Sequence, residues 1–141
     1  MSLGKLGPQN VVTTSPDSDL EEITATLEEE NVGSVVVIED DEPIGMLTDR
    51  DAALAIHEHD DVGSASVEEV MTENPVTVHE DDDPVTISEA IRDNNVRRFP
   101  IVDDDGELAG IATLDDLVAT LGEELENVAN TIEVQSPEYS P

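Results

Sequence analysis

A seven-residue pattern of this chain occurs twice. Gly45, Met46, Leu47, Thr48, Asp49, Arg50 and Asp51 return as Gly110, Ile111, Ala112, Thr113, Leu114, Asp115 and Asp116, with glycine, threonine and aspartate in the same places. The likeness extends backwards from there. At an offset of 64, Val12, Thr13, Asp17, Ile23, Asn31, Val32, Asp40 and Asp41 fall on Val76, Thr77, Asp81, Ile87, Asn95, Val96, Asp104 and Asp105. One residue is then gained, and Glu42, Gly45, Thr48 and Asp51 fall on Glu107, Gly110, Thr113 and Asp116. The insertion sits in an acidic turn between two apolar runs, where a duplicated chain tolerates a change of length. Each copy has about 60 residues and would be marginal alone, so the two are expected to share a core.

Charge narrows the setting. The 141 residues hold 36 acids against 5 Lys plus Arg, a formal charge of -31. Crowded carboxylates repel one another in dilute buffer, and about 1 M salt shortens the Debye length to about 3 Å. The expected setting is the salt-rich cytoplasm of a halophilic organism. High charge with one Phe and one Tyr also fits intrinsic disorder, but the apolar runs at 35–38 and 99–102 argue for a packed chain. Such a surface repels nucleic acid, whose phosphates need Lys and Arg. No apolar run approaches 18 residues and no basic, apolar leader is visible, so neither a membrane span nor secretion is expected. The absence of cysteine excludes disulfides, a thiolate nucleophile and sulfur-ligated metal.

Periodicity places the elements. Residues 1–7 read as a flexible lead-in and 11–13 as a short strand. Apolar residues from Leu20 to Val32 recur at helical spacing after the Asp17 to Asp19 turn, which predicts a helix over 19–31. The continuous β-branched run 35–38 predicts a buried strand, 39–42 an acidic turn and 43–47 its partner strand. Thr48 or Asp49 caps the next helix, which ends near 57–60. Residues 63–70 form the linker, with a helical turn over 67–71 stopped ahead of Asn74-Pro75. The second half repeats the order: strand 76–78, helix 85–95, strand 99–102, turn 103–106, strand 107–112 and a longer helix from Leu114, followed by a flexible tail from Asn130. The expected repeats are 8–62 and 71–129. The fold class is therefore α/β (α+β), two β-α-β-β-α units with their sheets packed together and helices outside.

The repeated heptapeptide carries the candidate site. A strand ending at Gly45 and a helix starting near Asp49 put backbone N-H groups at a helix mouth, where an anionic oxygen is favoured. Thr48 adds a hydroxyl, and Asp51 offers two acceptor oxygens suited to a ribose diol. Glycine at 45 allows close approach of a ligand. Thr113, Asp116 and Gly110 repeat the set. Taken singly these are ordinary caps and strand ends; two copies in register at strand-to-helix junctions favour a site. Arg50, Arg97 and Arg98 are kept near these junctions in a chain that otherwise shuns cations, which suggests phosphate contacts, while pairing with nearby acids is the bland alternative. Arg92 is expected on an outer helix face as an ion-pair partner.

Through GSVVVIEDDEPIGMLTDRD (33–51), VMTENPVTV (70–78) and RRFPIVDDDGELAGIATLDDL (97–117) the chain resembles a tandem pair of cystathionine-beta-synthase-type (CBS) domains, a Bateman module, over about residues 8–128. The resemblance implies pseudo-twofold symmetry and two clefts for adenosyl ligands: AMP, ADP, ATP or S-adenosylmethionine, with magnesium alongside a polyphosphate. It implies that Asp51 and Asp116 hold ribose hydroxyls and that Thr48 and Thr113 contact phosphate, helped by Arg50, Arg97 or Arg98. The adenine would lie near Val12, Thr13, Val35, Val36 and Val37 in one cleft, and near Val76, Thr77, Phe99, Pro100 and Ile101 in the other. The copies differ: Leu114 and Asp115 stand where Asp49 and Arg50 do, and Gly33 and Ser34 align with Arg97 and Arg98, so unequal affinities are expected.

The leading functional reading is a non-enzymatic regulatory sensor that acts through an effector protein or as a homodimer of stacked modules. A ligand-free interaction module is the alternative. A metal-dependent enzyme is remote. His57, Glu58, His59 and His79 are its only seeds; His57 and His59 are two apart and do not share a helix face, and no hydrolase or phosphate-loop motif is present. Cations would at most bind loosely at 81–83 or 103–105, or alongside a bound polyphosphate.

Overall fold

The computed structural model describes residues 11–135. The expected lead-in at 1–7 and the last part of the expected tail, 136–141, lie outside the described residues. The chain runs β1 (Thr13–Thr14), α1 (Leu20–Glu30), β2 (Ser34–Glu39), β3 (Glu42–Thr48), α2 (Asp49–Ala55), a 3-10 turn (Val62–Ser64), α3 (Val67–Val70), β4 (Thr72–Glu73), β5 (Val78–His79), α4 (Pro84–Asn94), β6 (Arg98–Val102), β7 (Leu108–Thr113) and α5 (Leu114–Gln135).

Local chemistry repeats with the sequence. Asp19 and Asp83 cap α1 and α4 by accepting the N-H of Glu22 at 2.8 Å and of Thr86 at 2.9 Å. Asn31 and Asn95 end the same helices in the left-handed conformation, at φ 54° and 52°, which asparagine tolerates better than most residues. The N-H of Asp49 donates to the Gly33 carbonyl at 3.0 Å, and that of Leu114 to the Arg97 carbonyl at 2.8 Å. These matched bonds tie the start of each motif helix to the foot of the strand beside it.

Two sheets result, in the orders β1-β2-β3-β4 and β5-β6-β7. The first strand of each half pairs in parallel with the second, and the second pairs antiparallel with the third. Alternation along β2 sends Val35 and Val37 towards the helices, where they pack with Leu20, Ile23 and Leu27 of α1. Val36 points the other way, against Met46 and Ile111 between the sheets. The continuous apolar run is thus a strand buried on both faces. Phe99 and Ile101 of β6 pack with Ile87 of α4 and Leu117 of α5. The helices lie outside and the halves share the layer between the sheets.

The one-residue insertion changes the turn. Asp40 and Asp41 both have positive φ, 52° and 65°, as a two-residue type I′ hairpin requires. Its counterpart uses Gly106 at φ 80°, with Asp103 Oδ1 accepting the N-H groups of Asp105 and Glu107 at 2.9 and 3.0 Å.

Three expectations change. A strand over 76–78 begins only at Val78, because Pro100 has no N-H: the bond from Val36 N to the Val12 carbonyl at 3.1 Å in the first half has no equivalent to the Val76 carbonyl in the second. The segment after α3 is β4, which joins β3 of the first sheet through Gly45 and Met46. The helix at the end passes Asn130, where a tail was expected, and continues to Gln135. No glycine or proline interrupts 130–135, and Ile132 follows Val128 at helical spacing.

Candidate functional site

Thr48 ends β3 and caps α2. Its Oγ1 accepts the N-H of Asp51 at 3.1 Å, while Asp51 Oδ2 accepts the N-H of Thr48 at 2.9 Å, a reciprocal capping box. Each side chain keeps one function free: Thr48 its hydroxyl proton, Asp51 its Oδ1, which has no hydrogen-bond partner among the described residues. Both are half-buried and line a cleft of about 290 Å³.

The opposite wall comes from the other repeat and the segment leading to it: Thr72, Asn74, Pro75 and Val76, then Val96, Arg97 and Arg98. Asn74 turns with φ 51° and its N-H donates to the Ile44 carbonyl at 3.2 Å, holding this segment against β3. Arg98 reaches towards the first repeat, since a Cβ built on Gly33 would lie 3.4 Å from Arg98 Nη2 and 3.5 Å from Asp49 Oδ2. Arg97 lies 3.7 Å from Asp115 with both side chains largely exposed, a contact worth little in itself. The cleft therefore combines a carboxylate and a hydroxyl from one repeat with two guanidinium groups from the other.

Several residues proposed from the sequence are elsewhere. Val35, Val36 and Val37 and Phe99, Pro100 and Ile101 are buried core side chains and do not line this cleft. Val12 packs on the first core cluster, and Thr13 and Thr77 are exposed. Gly45 is small for packing: a Cβ there would collide with Met71 Sδ and sit 3.0 Å from the Thr72 carbonyl oxygen. Close approach to that glycine is made by β4. Gly110 is buried in β7 opposite Ile101. Arg50 is exposed on the first turn of α2 and outside the cleft lining. Thr113 caps α5 by accepting the Asp116 N-H at 3.0 Å, but among the described residues no return bond reaches the Asp116 carboxylate.

Met46, Thr72, Asn74, Pro75 and Val96 were not foreseen as lining. The signal was the pairing of Val96 with Val32 by offset, next to two arginines, and the Asn-Pro turn at the entry to the second copy. Of the histidines, His79 joins a group with Asp81 and Asp104 whose ligating atoms lie within 4.8 Å of one another. Its Nε2 is 2.7 Å from Asp104 Oδ1 and its Nδ1 accepts the N-H of Asp81 at 3.1 Å. The Asp104 hydrogen bond raises the imidazole above its ordinary value, while the bond accepted at Nδ1 favours the neutral Nε2-H ring. Arg92 pairs with its neighbour Asp93 at 2.9 Å on the outer face of α4.

Among the described residues no helix is long and apolar enough to cross a membrane. A family model described as CBS domain matches residues 7–58 and 67–123. The chain is 36% identical over 138 residues to uncharacterized protein MK0525 of Methanopyrus kandleri, covering 89% of this chain and 69% of that one. It is 36% identical over 107 residues to CBS domain-containing protein YhcV of Bacillus subtilis, 76% of each. The CBS domain pair of protein MJ0100, solved in complex with 5′-methylthioadenosine and S-adenosyl-L-methionine, superposes with a TM-score of 0.76 at 22% identity, over 88% of this chain and 98% of that one. CBSX2, solved in complex with AMP, does so with a TM-score of 0.71 at 24% identity, over 86% and 96%. At these identities the structural likeness carries the fold.

Proposed function

The chain belongs to the CBS-domain family, and on that footing we propose that it is a non-catalytic regulatory module whose described cleft binds an adenosine phosphate. The observation that carries this is the meeting of Thr48 and Asp51 with Arg97 and Arg98 across one cleft. Asp51 Oδ1 receives a ribose hydroxyl. The Thr48 hydroxyl and the two guanidinium groups receive the phosphate. The base lies between Met46, Val76 and Val96, with the Val76 carbonyl, relieved of a strand partner by Pro100, accepting an amino hydrogen. At about 290 Å³ the cleft is close to the lower bound of about 300 Å³ usual for ligand sites, which suits a mononucleotide. The adenosyl ligands held by MJ0100 and CBSX2 support the reading by analogy of fold.

The second motif belongs to a poorer anion site. Gly33 and Ser34 stand at the positions of Arg97 and Arg98, and Asp115 at that of Arg50, so Asp116 and Thr113 face no matching guanidinium from those positions. Occupancy of the first cleft bridges the two repeats, and differential affinity for two arrangements of the halves shifts their populations. A partner protein, or a second module stacked through the outer helices, reads that shift. The acidic surface supports a salt-rich cytoplasm as the setting of this activity.

A ligand-free scaffold is the competing reading, favoured by the capture of Asp51 Oδ2 in a local cap. Titration calorimetry in molar salt separates them. AMP should bind and adenosine should bind more weakly, and the double variant Arg97→Ala with Arg98→Ala should shrink that difference to what the Thr48 hydroxyl alone supplies. No heat and no thermal shift with AMP, ATP or S-adenosylmethionine, in a sample shown to be folded, would leave the scaffold.

A further inference from the structure

The last helix is longer than the module needs. Of the 22 residues of α5 only Leu117 is buried, yet its free length carries large apolar side chains: Val118, Leu121, Leu125, Val128 and Ile132 are between 43% and 70% exposed. With Leu114 they step by four, three, four, three and four residues. That alternation of four and three is the heptad spacing of a helix seam that meets another helix, and from Leu114 to Ile132 it extends over about 27 Å at 1.5 Å per residue.

The flanks of this seam say what it meets. In a chain with 36 acids among 141 residues, the positions bordering the free part of the seam are Gly122 and Ala129 on one side and Glu124 and Thr131 on the other, with a single charge among them. A basic partner helix would be chosen by acidic flanks, which are missing. A second acidic chain would be repelled by them, and their absence permits it. Gly122 adds to this. It sits in mid-helix at a cost of about 1 kcal/mol relative to alanine, and a Cβ there would meet nothing within 4 Å among the described residues, so none of them explains its smallness, which suits close approach by a neighbouring backbone.

We propose that α5 pairs with α5 of a second copy of this chain as a parallel two-helix seam. Orientation follows from Glu124. In the parallel arrangement it faces Ala129 of the partner subunit, so no acid meets an acid. In the fully overlapped antiparallel arrangement Glu124 would face its own copy. The seam is separate from the nucleotide cleft and from any stacking through α1 and α2.

The chain has no cysteine, which makes the test direct. Val128→Cys places one thiol on the seam, where parallel copies bring it to within disulfide reach of its equivalent, about 4.4–6.8 Å between Cα atoms. Asn130→Cys places one on the outer face. Under mild oxidation of the full chain in molar salt, Val128→Cys should form a covalent dimer several-fold faster than Asn130→Cys, and Leu125→Glu should abolish the excess while the chain still melts cooperatively from a folded state. Equal rates for the two thiols would overturn the proposal, whether because the seam is unpaired or because residues 1–10 cover it. So would crosslinking confined to a mixture of Val118→Cys and Val128→Cys chains, which reports antiparallel pairing.

Discussion

Asp51 is asked to do two things, and they separate on substitution. Its Oδ2 satisfies the half-buried Thr48 N-H at 2.9 Å, a cap whose loss costs about 0.5–2 kcal/mol. Its Oδ1 is assigned to a ribose hydroxyl, a charge-assisted bond worth about 1.5–3 kcal/mol. Asp51→Ala removes both. The melting temperature should fall by about 2–8 °C, at roughly 4 °C per kcal/mol for a domain of this size, and AMP should bind about 10- to 100-fold more weakly. Asp51→Asn keeps an oxygen for the Thr48 N-H but lacks the charge, so stability should change by only a few tenths of a kcal/mol while affinity still falls about 5- to 30-fold. Asp116→Ala is the control. With no return bond to Thr113, it should change the melting temperature less than Asp51→Ala and leave the first cleft intact. Thermal melts and calorimetry in the same molar-salt buffer read all three variants. If Asp51→Ala loses stability while both substitutions at that position bind AMP like the parent, the carboxylate is a cap and nothing more.

Gly45→Ala should destabilise by about 1–3 kcal/mol, seen as a lower melting temperature, because the new methyl group collides with Met71 and the backbone of β4. Lowering salt from molar to millimolar should unfold the chain or depress its melting point steeply, as followed by circular dichroism. Glu107 marks one focus of that repulsion: its carboxyl is pushed up first by Asp103, then by burial, Asp41, Asp105 and Glu42. His79 should titrate above its ordinary 6.5 in an NMR pH series, and Asp104→Asn should bring it down, since the Asp104 hydrogen bond is the leading cause of the rise. A raised folded value means that its contribution to stability is complete below 6.5 and is lost as pH rises through the folded midpoint.

Much of the fold was legible because the same local chemistry appears twice. Asp19 and Asp83, Asn31 and Asn95, and Thr48 and Thr113 each do one job at matched positions, and agreement between copies separates signal from the background of acids. The duplication left open which repeat each motif faces. An offset equates Val12 with Val76 but is silent on crossing, so it leaves open whether Asp51 faces the group with Val12 or the group with Val76; the chain folds it against Val76, Val96, Arg97 and Arg98 of the other copy. Val36 and Phe99 were offered to a ligand because an apolar run reads alike whether it faces a base or another sheet. A strand of two residues such as β4 has no period to detect, and Gly45 was read as space for a ligand when Met71 fills it.

The proposed binding depends on one cleft assembled from both repeats, and a crystal grown in molar salt with AMP examines it directly. Nucleotide density is expected between β3 and the 72–76 segment, with a ribose oxygen within hydrogen-bonding distance of Asp51 and the phosphate against Thr48, Arg97 and Arg98. An empty cleft in crystals saturated with AMP, or nucleotide bound only beside Thr113 and Asp116, would contradict it.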